Sequence, residues 1–253
     1  MDAIVNADIR NHPVVSREEW TTERLELLRR EKEFSRLRDD LAAARRSLPW
    51  VRIDKDYLFD GPDGKQALRE LFDGRSQLII YHFMFGPGWE QGCPSCSFVA
   101  DHIDGATIHL ADRDVTLLAV SRAPLAELEP FRARMGWRFK WLSSNGSDFN
   151  YDFGVSFPKA DVERGMAPYN YGSWIAPIED LQGASVFYKD DAGEVFHTYS
   201  TYGRGIELLV GAYNYLDLAP KGRNEDGLSY PMAWVRHHDR YDPQPNKLMS
   251  CCL

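Results

Sequence analysis

Three apolar segments separated by helix-forming stretches constrain the fold of this 253-residue chain more than any other feature. The segments lie at 78–85, 115–120 and 139–142, and each is an apolar run typical of a buried strand. Helical patterns at 98–110 and 124–135 connect them. Strands joined in this way need crossover connections, so the sequence predicts an α/β domain with a parallel core.

A hairpin and a last helix follow the crossover strands. Residues 185–188 and 194–199 are strand-like and flank turn-forming residues, and an amphipathic helix is predicted at 206–213. The stretch before the hairpin, 143–183, is rich in Gly, Ser, Asn, Pro and aromatic residues without clear periodicity. We interpret it either as a lid or binding loop, or as an ordered excursion whose rings cover the core.

The first fifth of the chain is predicted to form a long charged helix. Ser16 and Glu19 have the spacing of a capping box, and Pro49 supplies a stop. An apolar residue recurs every seven positions, at Trp20, Leu27, Phe34, Leu41 and Leu48. Such a stripe packs either on its own domain or on a second subunit, so a homodimer through this helix is one of two expectations.

The predicted organisation has three parts. The first is a helical extension at 1–49, and the second is the α/β domain at 50–219 with the aromatic-rich insertion at 143–183. The third is a C-terminal extension at 220–253 that is rich in turn formers and ends in a pair of cysteines.

The segment Cys93-Pro94-Ser95-Cys96 points to redox chemistry. It follows the first apolar strand and a Gly/Pro-rich loop, so we expect the two cysteines on the first turn of a helix. Unpaired backbone N–H groups and the helix dipole favour a thiolate there, and Pro94 suits the first helical position. We therefore predict that Cys93, with a moderately lowered pKa, attacks a disulfide and that Cys96 resolves the mixed disulfide.

Four further residues are auxiliary candidates. Glu90 is a candidate proton shuttle for Cys96, although its loop position favours solvent exposure. Trp89 fits either an apolar platform for a partner or packing beneath the loop. Cys251 and Cys252 fit an electron relay, a soft-cation site or two incidental thiols of a frayed terminus.

Composition excludes several classes of function. The net charge of −8 argues against a dedicated nucleic-acid binder, which presents a basic face to phosphate. No segment has the apolar length of a membrane span, and the first residues lack the pattern of a signal peptide. We therefore expect a cytoplasmic protein, in which the cysteines are redox groups, metal ligands or inert thiols rather than structural disulfides. We expect no organic cofactor, and the cysteine spacing does not favour a structural metal site.

Several strings of residues resemble a known bacterial family. They lie at 81–87, 92–97, 120–124, 146–155, 196–200 and 213–217. Together they look like the family catalogued as domain of unknown function 899, which is related to the AhpC/TSA peroxidase group. The resemblance implies a thioredoxin-like three-layer sandwich with a central mixed sheet, and it brings no agreed reaction.

Two departures from better-known relatives affect the functional prediction. Redox thioredoxins enter their hairpin through a cis-proline that faces the dithiol, whereas Gln182-Gly183-Ala184 stand at that place here. The peroxidase pattern of a lone cysteine after Thr and Pro is also absent. Peroxide reduction therefore ranks below thiol–disulfide exchange.

The first functional prediction is a thiol–disulfide oxidoreductase that acts on a protein or small-molecule disulfide with an unidentified electron donor. The second is thiolate-based binding of a soft metal or metalloid by the same cysteines. The third is a non-catalytic thioredoxin-like interaction protein, in which the insertion and the long helix serve a partner.

Overall fold

The computed structural model describes residues 12–241. Within this range, residues 12–49 and 212–224 form one compact unit, and residues 50–211 and 225–241 form another. The second unit contains the sheet and the dithiol. The three-part organisation expected from the sequence stays a prediction.

The first unit consists mainly of the helix α1 (Arg17–Arg46) and nearly all of α7 (Gly211–Leu218). The Glu19 backbone N–H donates to Ser16 Oγ at 3.2 Å, and the Ser16 backbone N–H donates to the Glu19 carboxylate at 2.9 Å. The predicted capping box is thus confirmed. No residue of α1 is buried, and Phe34 on the apolar stripe is 65% exposed.

The second unit alternates strands and short helices. The strands are β1 (Val51–Arg52), β2 (Leu58–Gly61), β3 (Gly64–Ala67), β4 (Gln77–His82), β5 (Val115–Ser121), β6 (Trp141–Ser143), β7 (Pro168–Tyr169), β8 (Trp174–Ile175), β9 (Gly183–Lys189) and β10 (Val195–Tyr202). The helices are α2 (Pro94–Ala100), α3 (Ile103–Asp112), α4 (Leu125–Arg134), α5 (Phe149–Asp152) and α6 (Lys159–Glu163), with 3₁₀ turns at Leu68–Glu70, Gly203–Leu209 and His238–Arg240.

The central sheet is mixed. Its strand order is β1-β10-β9-β4-β5-β6-β2-β3, with β4, β5 and β6 parallel and β9 antiparallel to β4. The helices α2 and α3 cross from β4 to β5, and α4 crosses from β5 to β6. A parallel core extended by an antiparallel hairpin is the thioredoxin-like α/β arrangement, so the predicted fold class is confirmed.

The core sits on both sides of the apolar strands β4 and β5. One aromatic cluster joins Phe83 and Phe131 to Trp137 and Trp141, with ring centroids 4.6 to 6.4 Å apart. Another joins side chains of the insertion to the hairpin, at Phe149, Phe153 and Phe187. These rings are buried, and the insertion therefore contributes to the core.

The insertion also has structure of its own. It contains α5, α6 and the two-stranded β7–β8 sheet. Phe157 and Tyr169 are buried in a smaller apolar cluster with Leu181 and Tyr202. Tyr171 is 79% exposed, so part of the aromatic content of the insertion remains at the surface.

Two predicted helices differ from those observed. The helix predicted at 98–110 begins earlier and is broken between Ala100 and Ile103. The break coincides with a tertiary contact, because the Trp137 indole donates to the Asp101 carboxylate at 2.8 Å. The helix predicted at 206–213 is instead the 3₁₀ turn Gly203–Leu209 followed by α7.

Two predicted strands also have different bounds. The run predicted at 78–85 leaves the sheet after His82, because Phe83 to Phe85 enter the loop that precedes the dithiol. The strand predicted at 139–142 is β6, which is shifted toward the C-terminus. Among the described residues, none of the helices has the length and hydropathy of a membrane span.

Candidate functional site

The loop between β4 and α2 carries the candidate dithiol to the end of the central strand. The Cys93 backbone N–H donates to the Met84 carbonyl at 3.1 Å. A Cβ added at Gly92 would lie 2.5 Å from the Phe83 ring and 2.8 Å from the Phe131 ring, so only glycine fits between the rings and the loop. These contacts hold Cys93 beside the end of β4.

The two cysteines stand at different depths of one helical turn. Cys93 is the N-cap of α2, Pro94 is its first residue, and Cys96 lies in the first turn. Both are free thiols. Cys93 is partly exposed whereas Cys96 is completely buried, so one sulfur is accessible to a substrate and the other lies beneath it.

The surroundings of Cys93 stabilise its thiolate. A hydrogen bond from the Cys96 thiol lowers the pKa of Cys93 to about 7, against an opposing effect of burial. Backbone and side-chain hydrogen bonds from Ser95, together with the Cys96 backbone N–H, act in the same direction. Free N–H groups at a helix N-terminus have this effect because they have no intrahelical carbonyl partner. The shift is moderate, as the sequence predicts.

The surroundings of Cys96 favour the protonated thiol. Burial raises the pKa of the Cys96 thiol well above its usual value, and the neighbouring Cys93 raises it further. The Met84 backbone N–H donates to the Cys96 sulfur at 3.5 Å, and the thiol donates to Oε1 of Gln182 at 3.8 Å. Cys93 therefore ionises first, which suits attack by the outer sulfur and resolution by the inner one.

Gln182 is a site residue to which the sequence prediction gave no role. It directly precedes β9, and the pairing of Gly183 with His82 places it beside the end of β4. The only sequence signal for it is its position at the entry of the hairpin, where thioredoxins carry their cis-proline. The described residues contain no cis peptide bond, so a glutamine side chain faces the inner thiol instead.

The auxiliary candidates are only partly near the dithiol. Glu90 is exposed in the loop, whereas the Cys96 sulfur forms its hydrogen bonds with the Met84 backbone N–H and the Gln182 side chain. Trp89 is half-buried, and its indole packs against Gly86. Its proposed role as a platform for a partner stays a prediction. Cys251 and Cys252 lie outside the described residues.

The C-terminal segment 237–239 packs against the loop that precedes the dithiol. The sequence pattern did not predict this contact. His237 is buried, and its Nε2 lies 2.8 Å from the Gly92 carbonyl oxygen. Arg134 of α4 donates to the Asp239 carboxylate through two N–H groups at 2.8 Å. This segment therefore supports the backbone directly before Cys93.

A buried ion pair ties the insertion to the same end of the sheet. Arg122, which follows β5, donates to both oxygens of Asp180 at 2.8 and 2.9 Å. Asp180 raises the pKa of the Arg122 guanidinium, which also donates to the Tyr151 hydroxyl at 2.8 Å. Asp180 accepts a further hydrogen bond from Ser156. With its acceptors satisfied in this way, the pair has a structural role beside the loop.

The family model described as Bacterial protein of unknown function (DUF899) matches residues 9–241. The chain belongs to this family. A comparison with curated proteins gives no match.

Several solved structures are similar to this DUF899 protein. Peroxidoxin BcpB from Mycobacterium tuberculosis is 12% identical over 65% of this chain and 97% of that chain, with a TM-score of 0.44. The bacterioferritin comigratory protein of Xanthomonas campestris is 14% identical over 66% and 96%, with a TM-score of 0.44. A protein assigned as thiol:disulfide interchange protein DsbE from Chlorobium tepidum is 16% identical over 70% and 100%, with a TM-score of 0.38. Similarity this low leaves the reaction undefined.

Metal-ligating side chains are dispersed in the part of the chain that the structure describes. Among residues 12–241, no three His, Cys, Asp or Glu side chains are grouped so that they could hold a metal ion. Binding of a soft metal by four thiolates would require Cys251 and Cys252, which lie outside this range. That alternative stays a prediction.

Proposed function

We propose that this DUF899 protein is a thiol–disulfide oxidoreductase that uses Cys93 and Cys96 on a protein or small-molecule disulfide. One observation carries the proposal, the asymmetry of the pair. The outer thiol is partly exposed and has a pKa lowered to about 7, whereas burial raises the pKa of the inner thiol. In such a pair the outer thiolate attacks the substrate disulfide, and the inner thiol resolves the mixed disulfide.

The reaction consists of two exchanges between sulfur atoms. The Cys93 thiolate attacks a substrate disulfide, a Cys93–substrate disulfide forms, and the substrate S–S bond breaks to release one thiolate. Cys96 then loses its proton and attacks the Cys93 sulfur, which releases the second substrate thiolate. The two released thiolates take up protons, one of them from Cys96. The substrate disulfide is reduced by two electrons and the dithiol is oxidised to a Cys93–Cys96 disulfide.

The proposed cycle needs a partner but no organic cofactor, because the two sulfurs carry the electron pair. A thiol donor must reduce the Cys93–Cys96 disulfide after each turnover. A cytoplasmic thiol pool supplies reductants of this class, and Trp89 and Met84 beside the loop offer apolar surface to a docking partner.

Turnover of a fluorescent disulfide reporter tests the proposal. Activity is expected in a Cys251→Ser, Cys252→Ser background, and Cys93→Ser in that background is expected to abolish it. Cys96→Ser is expected to accumulate a mixed disulfide with one substrate thiol per chain, visible by intact-mass analysis. Retained turnover after Cys93→Ser would refute the assignment of the outer thiol.

A second assay, of peroxide consumption, separates thiol–disulfide exchange from peroxide reduction. Alkyl peroxide reduction is named for the Xanthomonas campestris protein. If this chain consumed peroxide much faster than it reduced the disulfide reporter, the proposed function would be replaced by a peroxidase. Equal loss of both activities in Cys93→Ser would locate either reaction at the same sulfur.

A further inference from the structure

Two polar side chains reach the inner thiol from the strand side of the site. The Tyr81 hydroxyl donates to Oε1 of Gln182 at 3.1 Å, and the Cys96 thiol donates to the same oxygen at 3.8 Å. Tyr81 is 1% exposed and Cys96 is 0% exposed, so both groups are shielded from bulk solvent. One amide oxygen thus accepts both hydrogen bonds.

The position of Gln182 is fixed by its neighbours. The Tyr169 hydroxyl donates to the Gln182 backbone carbonyl at 2.6 Å and accepts a hydrogen bond from the Gly203 backbone N–H at 2.7 Å. Pairing of β9 with β4 sets Ala184 opposite Tyr81 in the sheet. Backbone and side chain are therefore both constrained, and the amide presents its oxygen to the thiol without rearrangement.

We propose that Tyr81 and Gln182 control the protonation of Cys96, as positioning residues of the exchange reaction. While Cys93 is protonated or bound to a substrate, the Gln182 oxygen accepts the S–H and O–H hydrogen bonds. When Cys93 is a free thiolate, the Cys96 S–H turns to that sulfur instead. When Cys96 ionises, the Tyr81 O–H turns from that oxygen to the new thiolate. This inference rests on the proposed function, because it assigns a use to the Cys96 thiolate.

The Tyr81 hydroxyl donates to Gln182, which itself accepts from Cys96, so the hydroxyl and the inner sulfur lie next to the same amide oxygen. Burial has the largest effect on the pKa of Cys96 and raises it, whereas the hydrogen bond with Tyr81 opposes that effect. A tyrosine O–H rotates about one bond, so it can change acceptors without any movement of the ring. Hydrogen bonds to a charged acceptor are about twice as strong as those between neutral groups, so the rotation favours the thiolate.

Neither residue acts as a base. An amide oxygen accepts a hydrogen bond but does not take up a proton near neutral pH. Burial raises the pKa of the Tyr81 hydroxyl well above its usual value, so Tyr81 keeps its proton. The Cys96 proton therefore leaves with a released substrate thiolate, and the two side chains stabilise the ionised sulfur that attacks Cys93.

The first test measures the pKa of Cys96 without any turnover. The chain has 4 cysteines, so Cys93→Ser with Cys251→Ser and Cys252→Ser leaves Cys96 as its single thiol. Titration of ¹³C-labelled cysteine by NMR gives its pKa. Tyr81→Phe keeps the ring and removes the hydroxyl, and it is expected to raise this pKa by about one unit, a tenfold loss of thiolate.

A matched control separates this effect from loss of a buried hydroxyl. Tyr202 is also buried, and its hydroxyl donates to the Phe153 carbonyl at 2.8 Å. Tyr202→Phe is expected to leave the pKa of Cys96 unchanged. No shift in Tyr81→Phe, or an equal shift in Tyr202→Phe, would overturn the inference.

The second test addresses the resolving step. In the Cys251→Ser, Cys252→Ser protein, Tyr81→Phe is expected to slow release of a preformed Cys93 mixed disulfide about tenfold while leaving the alkylation rate of Cys93 unchanged. Gln182→Glu places a carboxylate beside Cys96, and it is expected to change the pH profile of this step. An unchanged release rate and pH profile in both variants would overturn the role in resolution. A shifted Cys96 pKa without any disulfide turnover would refute the proposed function and still support control of protonation.

Discussion

At the scale of single residues, Cys93 and Cys96 differ through their surroundings alone. Cys93 stands at the helix cap with free N–H groups and a thiol donor, and Cys96 is completely buried. The same side chain is therefore acidic at one position and protonated three residues later. The difference in pKa between the two thiols depends on contacts that keep the two environments apart.

The first prediction concerns the ionisation of Cys93. Its alkylation rate is expected to rise with pH around a midpoint of about 7, because the thiolate is the reactive form. Cys96→Ala removes the thiol hydrogen bond, and the midpoint is then expected to move toward about 8.5, the value of a free cysteine. The measurement is iodoacetamide labelling from pH 5 to 10 in the Cys251→Ser, Cys252→Ser background. An unchanged midpoint in Cys96→Ala would contradict the assigned cause.

The second prediction concerns the glycine before the dithiol. A Cβ at Gly92 would lie 2.5 Å from the buried Phe83 ring, so Gly92→Ala is expected to lower the free energy of unfolding by about 1–3 kcal/mol. Gly105 in α3 has nothing within 4 Å of an added Cβ. Gly105→Ala is therefore expected to be neutral or to stabilise by up to about 1 kcal/mol. Urea unfolding of the two variants measures the difference, and equal effects would contradict the packing argument.

At the scale of elements, α1 leaves its apolar stripe exposed. Charged residues flank the stripe on both sides. One side carries Glu19, Glu26, Glu33 and Asp40. The other carries Arg24, Glu31, Arg38 and Arg45. Parallel pairing of two copies sets the acidic side of one against the mainly basic side of the other, whereas antiparallel pairing sets acidic against acidic.

The third prediction follows from that pattern. The chain is expected to form a parallel homodimer through α1, and Leu41→Lys is expected to give monomers because it places a charge in the seam. Leu25 is 59% exposed and lies off the stripe, so Leu25→Lys is the matched control and is expected to remain dimeric. Light scattering after size-exclusion chromatography measures the mass. A monomeric unmodified protein would refute the dimer.

At the scale of the whole molecule, a chain of polar side chains, buried except at the partly exposed His197, crosses the sheet. His82 Nε2 lies 2.8 Å from Ser185 Oγ, Ser185 Oγ lies 2.8 Å from Ser200 Oγ, and Ser200 Oγ lies 2.7 Å from His197 Nε2. Burial lowers the pKa of His82 to about 3 and also lowers the pKa of His197. His82 is therefore neutral in the folded protein well above pH 3, and both histidines bind a proton more readily in the unfolded chain.

The fourth prediction is the resulting pH dependence of stability. Between pH 6.5 and about 3 the unfolded chain holds a proton at His82 that the folded chain does not, so stability falls as pH falls. The loss from His82 is expected to reach about 2 kcal/mol at pH 5 relative to pH 7.5. His82→Gln is expected to flatten this dependence, and His109→Gln, at an exposed position, is expected to retain it. Urea unfolding at several pH values measures the free energy of unfolding. An equal dependence on pH in the unmodified protein, His82→Gln and His109→Gln would refute the assignment to His82.

The features that the sequence determined are local. Ser16 and Glu19 form a capping box across three positions, Pro94 begins a helix because it has no N–H to lose, and the apolar run at 115–120 forms a strand. Each depends on neighbours along the chain, and the order of these elements defined the fold class. The position of the dithiol could be predicted for the same reason, because the spacing of Cys93 and Cys96 places both on the first turn of α2.

The tertiary structure alone decided what surrounds the dithiol. Gln182 reaches Cys96 across 86 positions of sequence, and His237 reaches Gly92 across 145. Contacts at such separations follow from strand pairing and from the path of the C-terminal segment, and no local pattern encodes them. Burial in the core, which raises the pKa of the Cys96 thiol, is likewise a property of the assembled fold.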